Sequence, residues 1–426
     1  MVAPELWYRL GSAQDQSVLE ENKNTYRGLV VPAHILAWGR AWVTGLLTRT
    51  SKPFLIDPMT YIFSQSSDLI KGEKEVKKSY EALLKFYGND FSKIVRRRPV
   101  RPSDFVDGGG GVTALLRTFV SKVIDLQLEV QRAKSPTQAS LGKYRRMLGE
   151  AASPGDLQPA ALIAPYFHFT DEEDPWLGVN VQFFKETLRH KETIETHAFI
   201  AVSPDWLRVA DWGRTCRSFK GSAGVILWVS GQSEAKRGVP ELASLKRAVK
   251  ELSAERVKVH LMHAGYYSLC LGVVGASRVS SGIGFGESKV TTAKATGGGF
   301  PSRYYLRLLK RQQVVANVRA LLSDQPILLC DCSVCSSALQ LAGVKPRAKL
   351  KPEHIAAFFD RLDDDALKAH FLLNRFEESR HIGKSDLRQL DKELTKSIEN
   401  AEKLKVDNYG LSYRHLETWS EALRLS

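Results

Sequence analysis

The chain has 426 residues, 43% of them hydrophobic and 25% charged. That balance suits a folded globular protein long enough for one large barrel or two ordinary domains. No run of about 18 apolar residues occurs, so no membrane span is expected. The opening stretch, Met1-Val2-Ala3-Pro4-Glu5-Leu6-Trp7, lacks the charged and apolar regions of a secretory signal. The formal charge of +14 gathers in three runs: Arg96-Arg97-Arg98-Pro99-Val100-Arg101, Arg307-Leu308-Leu309-Lys310-Arg311, and Lys345-Pro346-Arg347-Ala348-Lys349-Leu350-Lys351. Such runs attract phosphate backbones, so nucleic acid is the expected partner. Only five cysteines occur, which fits a reducing cytoplasm better than a disulfide framework.

Apolar runs bounded by turn residues predict eight strands in chain order, at 27–37, 53–58, 159–165, 196–202, 224–230, 257–262, 277–281 and 327–330. Helical spacing separates most of them, at roughly 65–90, 112–133, 176–190, 204 onward, 239–252 and 266–274. Strand–helix alternation argues for parallel strands with crossover helices, and eight units suggest a closed (β/α)8 TIM-type barrel. The expected organisation is a barrel over 1–326 with a helical insertion near 65–150. A last strand and metal-binding subdomain follow over 327–384, then a helical tail over 385–426. Leu387, Leu390 and Leu394 give that tail a face for packing or for a partner.

Chemistry in such barrels sits on the loops after the strands. Asp57 stands at the mouth end of the second predicted strand, where a carboxylate can act as base or nucleophile, or cap the next helix. Asp205 holds the analogous place after the fourth, with helix capping as its competing role. The loop Ser281-Gly282-Ile283-Gly284-Phe285-Gly286-Glu287-Ser288-Lys289 lets backbone approach a flat ligand or a phosphate, with Glu287 and Lys289 as its charged groups. Ser230, Gly231, Gln232 and Gly265 lie on the same predicted rim.

Cys330-Asp331-Cys332-Ser333-Val334-Cys335 places three thiols within six positions. Soft ligands at that spacing suit a tetrahedral zinc. The fourth ligand is expected on a helix capped by Asp363-Asp364-Asp365, where His370 falls one turn in; His354 and His381 are the competitors. Cys330, Cys332, Cys335 and His370 are therefore the expected closed structural zinc site.

An eight-unit barrel followed by Cys-x-Cys-x-x-Cys and a helical histidine resembles the tRNA-guanine transglycosylase family. Phe54-Leu55-Ile56-Asp57-Pro58-Met59-Thr60-Tyr61 is similar to the strand that carries one of that family's two active-site aspartates. Ser230-Gly231-Gln232 is similar to its base-binding loop. The pattern departs where the family carries its other aspartates, at Leu162-Ile163-Ala164-Pro165-Tyr166 and at Val279-Ser280-Ser281-Gly282. Asp205 and Glu287 are the candidates to replace the second catalytic carboxylate. The resemblance implies exchange of guanine for a 7-deazaguanine through a covalent glycosyl-enzyme. The basic barrel without the usual tRNA motifs looks like the branch acting on DNA rather than tRNA. Free deazaguanine base and a duplex-opening partner protein would follow. The alternatives are the tRNA enzyme itself, or a non-catalytic zinc-containing barrel that binds nucleic acid or scaffolds a partner.

Overall fold

Eight parallel strands build the body of the protein, in a computed structural model that describes residues 3–65, 76–132, 157–190, 194–231, 233–284, 287–291, 301–344 and 349–425. They are β1 (Glu5–Arg9), β2 (Gly28–Pro32), β3 (Phe54–Asp57), β4 (Leu162–Ile163), β5 (Thr196–Val202), β6 (Gly224–Val229), β7 (Lys258–Met262) and β8 (Ala276–Gly282). Their order is β3-β2-β1-β8-β7-β6-β5-β4. The two ends of that order meet, since the Ala160 N–H donates to the Phe54 carbonyl at 2.8 Å. The result is a nearly closed TIM-like barrel. Every residue of β2, β3, β5 and β6 is buried, as strands covered on both faces require.

The seam is held by a side chain. β4 has only two residues, and the Gln127 amide completes its pairing: Gln127 Nε2 donates to the Ile163 carbonyl, and the Ile163 N–H donates back to Gln127 Oε1, both at 2.8 Å. Gln127 lies on the Ala114–Arg132 helix of the insertion. That helix and the Lys78–Tyr87 and Asn89–Arg97 helices close around Phe63, Tyr87, Phe91, Phe105 and Phe119, whose rings meet edge-on or stacked. Parts of the predicted 65–150 insertion, namely 66–75 and 133–150, lie outside the described residues.

Two strand assignments change. β1 is absent from the sequence prediction, yet it pairs with both β2 and β8 and joins the barrel's halves. The predicted final strand at 327–330 is instead a 3-10 turn, Pro326–Leu328, with Ile327 89% exposed. An apolar Ile-Leu-Leu run reads as a buried strand, but no place in the ring is left for it. The two glycine-loop positions Ser281 and Gly282 also move: both belong to β8, opposite Tyr8 and Arg9 of β1.

Beyond β8 an antiparallel hairpin, β9 (Arg303–Leu306) with β10 (Arg311–Val314), leads into the helices Val315–Asp324, Ser333–Leu341, Pro352–Phe359 and Asp364–Ile382. The last of these packs behind β1: Phe371 meets the Tyr8 ring edge-on, and the Ser379 hydroxyl donates to the Pro4 carbonyl at 2.8 Å. The tail forms two helices, Leu387–Lys403 and Arg414–Arg424. Leu390 and Leu394 are buried, and the Trp419 indole N–H donates to the Glu234 carbonyl. The tail is thus a packing element, as its leucine spacing suggested.

Large rings inside the barrel face glycines on the neighbouring strand. Trp7 pairs with Gly28, where an added Cβ would come within 2.6 Å of the indole. His197 pairs with Gly224, where a Cβ would come within 2.9 Å of Nε2. His197 and His260 are both about 1% exposed, near the Arg278 guanidinium that stacks on Trp7. Burial, then Arg278, holds His197 down to about 4, with Glu195 opposing. An unfolded histidine binds its proton near pH 6.5, so the unfolded state takes up the proton first as pH falls. The stabilisation is complete above pH 6.5 and is lost as pH falls toward 4. Thermal and urea melts between pH 7 and pH 4 are expected to show His197→Gln losing about 3 kcal/mol less stability than the parent. Equal losses in the two proteins would refute this.

Candidate active-site mouth and metal centre

β3 ends at Asp57-Pro58-Met59, and the turn fixes the carboxylate. Met59 adopts a left-handed conformation (φ 52°), costly for a residue with a Cβ. Its N–H donates to Asp57 Oδ1 at 3.0 Å, which helps hold the turn. The Tyr166 hydroxyl, from the segment after β4, donates to the same oxygen at 2.8 Å. Arg9, the last residue of β1, approaches Asp57 Oδ2 at 3.6 Å. Asp57 is 1% exposed. Around it stand His34, whose Nδ1 lies 3.0 Å from Met59 Sδ, and Tyr61, stacked on Tyr166. Burial, then the cations Arg9, Lys289 and Lys77, pushes His34 down to about 3, so its ring is neutral.

Lys289 reaches this cluster from the loop after β8. Its ammonium lies 5.1 Å from the centre of the Tyr61 ring and 5.8 Å from that of Trp228. Burial, then Arg9, drives its pKa well below that of a free lysine, with Asp57 opposing. Ser230 and Gly231 hold the loop in place. The Thr291 N–H donates to Ser230 Oγ at 3.0 Å, and the Gly231 N–H donates to the Lys289 carbonyl at 3.1 Å. Gly231 has a φ of 130°, which a side chain rarely permits. Gln232 lies outside the described residues.

The other candidate carboxylates sit elsewhere. Asp205 is in the first turn of the Pro204–Val209 helix, 85% exposed and paired with Arg208 at 2.6 Å; Ser203 caps that helix. Glu287 turns away to Arg375, which also meets Glu378 at 3.2 Å. Gly265 gives its N–H to the buried Glu234 carboxylate at 2.9 Å, and a Cβ at Gly265 would press on the same group. Sequence reasoning missed Arg9 and Arg375. Only Arg9 left a signal, the short Leu6-Trp7-Tyr8 apolar run preceding it. Four residues of the first two basic runs are held in ion pairs, Arg96 with Glu81, Arg98 with Asp104, Arg307 with Asp331 and Lys310 with Glu378, while residues 345–348 of the third run lie outside the described residues.

The metal centre gathers as expected. The ligand atoms of Cys330, Cys332, Cys335 and His370 all lie within 4.8 Å of one another, a Cys3His cluster able to hold a metal ion. Cys332 caps the Ser333–Leu341 helix and Cys335 sits in its first turn. Asp363 caps the His370 helix by accepting from the Ala366 N–H at 2.7 Å. His370 Nδ1 lies 3.3 Å from the sulfurs of Cys332 and Cys335, while Nε2 donates to the Tyr305 carbonyl at 2.8 Å. That bond puts the ring proton on Nε2 and leaves the Nδ1 lone pair for an ion. Tyr304 stacks on the imidazole. The competing histidines are occupied: His354 Nδ1 accepts from the Lys351 N–H, and His381 pairs with Glu393. The three cysteines and His370 fasten the β9–β10 hairpin to the Asp364–Ile382 helix, through Tyr304 and the Tyr305 carbonyl, whereas the barrel's seam lies between β3 and β4.

No family model matches the chain. No curated protein matches it. Among solved structures, the crystal structure of xylanase B from Clostridium stercorarium F9 is similar over 65% of this chain and 85% of that one. The identity is 8% and the TM-score 0.31, a likeness that carries no argument here.

Proposed function

We propose that the protein is a transglycosylase that exchanges guanine for a 7-deazaguanine in nucleic acid, with DNA as the substrate, and that its Cys3His cluster holds a structural zinc. The observation that carries this reading is Asp57, fixed at the barrel mouth by the Met59 N–H and the Tyr166 hydroxyl. The resemblance of the surrounding strand and of the cysteine motif supplies the choice of reaction. Thiolate and imidazole donors favour zinc among the common ions.

In this reading the target nucleotide is flipped out of the duplex, and its base stacks on mouth aromatics such as Tyr61 and Trp228. Asp57 is buried, so entry of the base displaces the side chains that cover it. The carboxylate attacks C1′, the C1′–N9 bond breaks, and guanine leaves with the bonding electrons and gains a proton at N9. The incoming deazaguanine then attacks C1′ through N9, loses the N9 proton and frees Asp57. One proton is taken up and one released, and Lys289, beside Tyr61 and Trp228 at the mouth, is the side chain placed to relay it. The path through an oxocarbenium-like state parallels a retaining glycosidase. Neither Asp205 nor Glu287 is needed as a second carboxylate.

The test is mass spectrometry of nucleosides from DNA and from tRNA after incubation with the protein and labelled bases. Label in DNA is the expected result. Label in tRNA alone moves the substrate to RNA, and label in neither overturns the reading. Elemental analysis is expected to return about one zinc per chain.

A further inference from the structure

The Ala33–Thr50 helix follows β2 and leaves the mouth beside the Lys78–Tyr87 helix of the insertion. Its first turn carries His34, whose imidazole stacks on Tyr80 at 5.0 Å and 24°. Six residues further along both helices, the Arg40 guanidinium lies 5.3 Å from the centre of the Phe86 ring. The two helices therefore run side by side in the same direction, away from the mouth. Trp38 stands between these two contacts. It lies four residues after His34, on the same helix face and about 6 Å further along the axis. Its side chain is 59% exposed and has no ring partner among the described residues.

A lone exposed apolar side chain needs no partner, but Trp38 is one of a row. The helix departs from regular geometry at Gly39 (φ −119°, ψ 36°), and Trp42 lies across that bare glycine, where a Cβ would fall 1.9 Å from the indole nitrogen. His34, Trp38, Trp42, Tyr80 and Phe86 are thus flat rings, none of them fully buried, strung along one helix pair from the mouth outward. Positive charge accompanies them. Lys78 and Lys85 are exposed on the second helix, and Lys77 sits near enough to His34 to repel its charged form. Rings interleaved with cations suit a single nucleic-acid strand, whose bases stack while its phosphates are neutralised. A protein partner would want a core free of charge, and here charged groups interrupt the row.

We propose that Trp38 is a stacking platform for an unpaired base next to the one that enters the mouth, on a strand that runs along the Ala33–Thr50 and Lys78–Tyr87 helices. The proposal rests on the nucleic-acid part of the reading above. His34 joins the two places. Its ring stacks with Tyr80 in the row, and its Nδ1 lies 3.0 Å from Met59 Sδ at the Asp57 turn.

Fluorescence anisotropy of a labelled single-stranded DNA 12-mer, titrated across a range of salt, provides the test. Trp38→Ala is expected to weaken binding about tenfold, the scale of one base–aromatic stack. The slope of log K against log[salt] is expected to stay at the parent's value, since no charge is lost. Trp38→Phe keeps a ring and is expected to retain most of the affinity. A 12-mer with the same backbone but no bases separates stacking from a damaged fold: the parent and Trp38→Ala are expected to bind it equally. The proposal is overturned if Trp38→Ala binds the intact strand as the parent does, or loses as much on the base-free strand. It is also overturned if the loss is no greater than in Leu341→Ala, which removes an apolar side chain 69% exposed on the Ser333–Leu341 helix. Loss at Trp38 without base exchange by the parent keeps the platform and removes the transglycosylase reading. Exchange by the parent with no loss of strand binding in Trp38→Ala does the reverse.

Discussion

Asp57→Asn is expected to abolish base exchange, lowering kcat/KM by at least about a thousandfold, worth roughly 4 kcal/mol of transition-state stabilisation. The substitution preserves shape. Asparagine Oδ1 can still accept from the Met59 N–H and the Tyr166 hydroxyl, which both meet Asp57 Oδ1 in the parent. What it removes is the charge that faces Arg9 and that would bond to C1′. Leaving Arg9 without its partner costs stability, about 2–3 kcal/mol, since Arg9 is partly open to water at 15% exposure. Circular dichroism melts would therefore register a modest loss at 25 °C with the fold retained. Exchange at parental rate in a folded Asp57→Asn protein would end the catalytic reading and favour the barrel that only binds. Lys289→Met offers a comparison: it should slow exchange while leaving nucleic-acid binding nearly unchanged, because its amine is buried and not on the outer surface.

Strand–helix alternation was legible because both barrel faces are buried, so β2 and β6 read as near-continuous apolar runs. β1 was not, for a physical reason. Its five residues begin and end with charged side chains, Glu5 and Arg9, which turn to Arg278 and Asp57 inside the fold. Local pattern reports burial of a stretch, not the partner that neutralises its ends. The false strand at 327–330 shows the converse. Ile327-Leu328-Leu329 is apolar enough for a strand, but a ring with eight members has no ninth place, and only the assembled sheet states that.

The Cys3His cluster was legible, since three thiols within six positions and a histidine on a capped helix are donors of one kind of site. Asp57 was legible because a strand end followed by proline marks a mouth position. Its neighbours were not. Arg9, Tyr166 and Lys289 come from β1, the segment after β4 and the loop after β8, and nothing in their local sequence ties them to one carboxylate. Asp205 looked equivalent to Asp57 by position, yet the exposed Asp205–Arg208 pair within one helix turn answers for it. Glu287 was chosen for its loop, and the loop does reach the mouth, but through Lys289 two residues on.

Cys335→Ser is expected to lose the bound metal, to destabilise the chain by at least about 5 kcal/mol, and to lose exchange as well, although the ion breaks no bond. The loss of activity follows from a chain of contacts. His370 fixes the register of the Asp364–Ile382 helix against the cysteine turn. Five residues on, the same helix presents Arg375, 4% exposed, which bonds Glu287 and lies over the rings of Tyr305 and Phe371. Glu287 begins the described loop segment that carries Lys289 to Asp57 and that Ser230 and Gly231 hold from the other side. Freeing the helix releases one of the two anchors of that segment. Chelation of the parent should therefore lower exchange in step with metal content, and added zinc should restore both. The same zinc should restore neither in Cys335→Ser, while Cys216→Ser, a buried cysteine outside the cluster, should keep both. Full exchange by metal-free protein would break the link between the two sites, whatever the fate of the barrel.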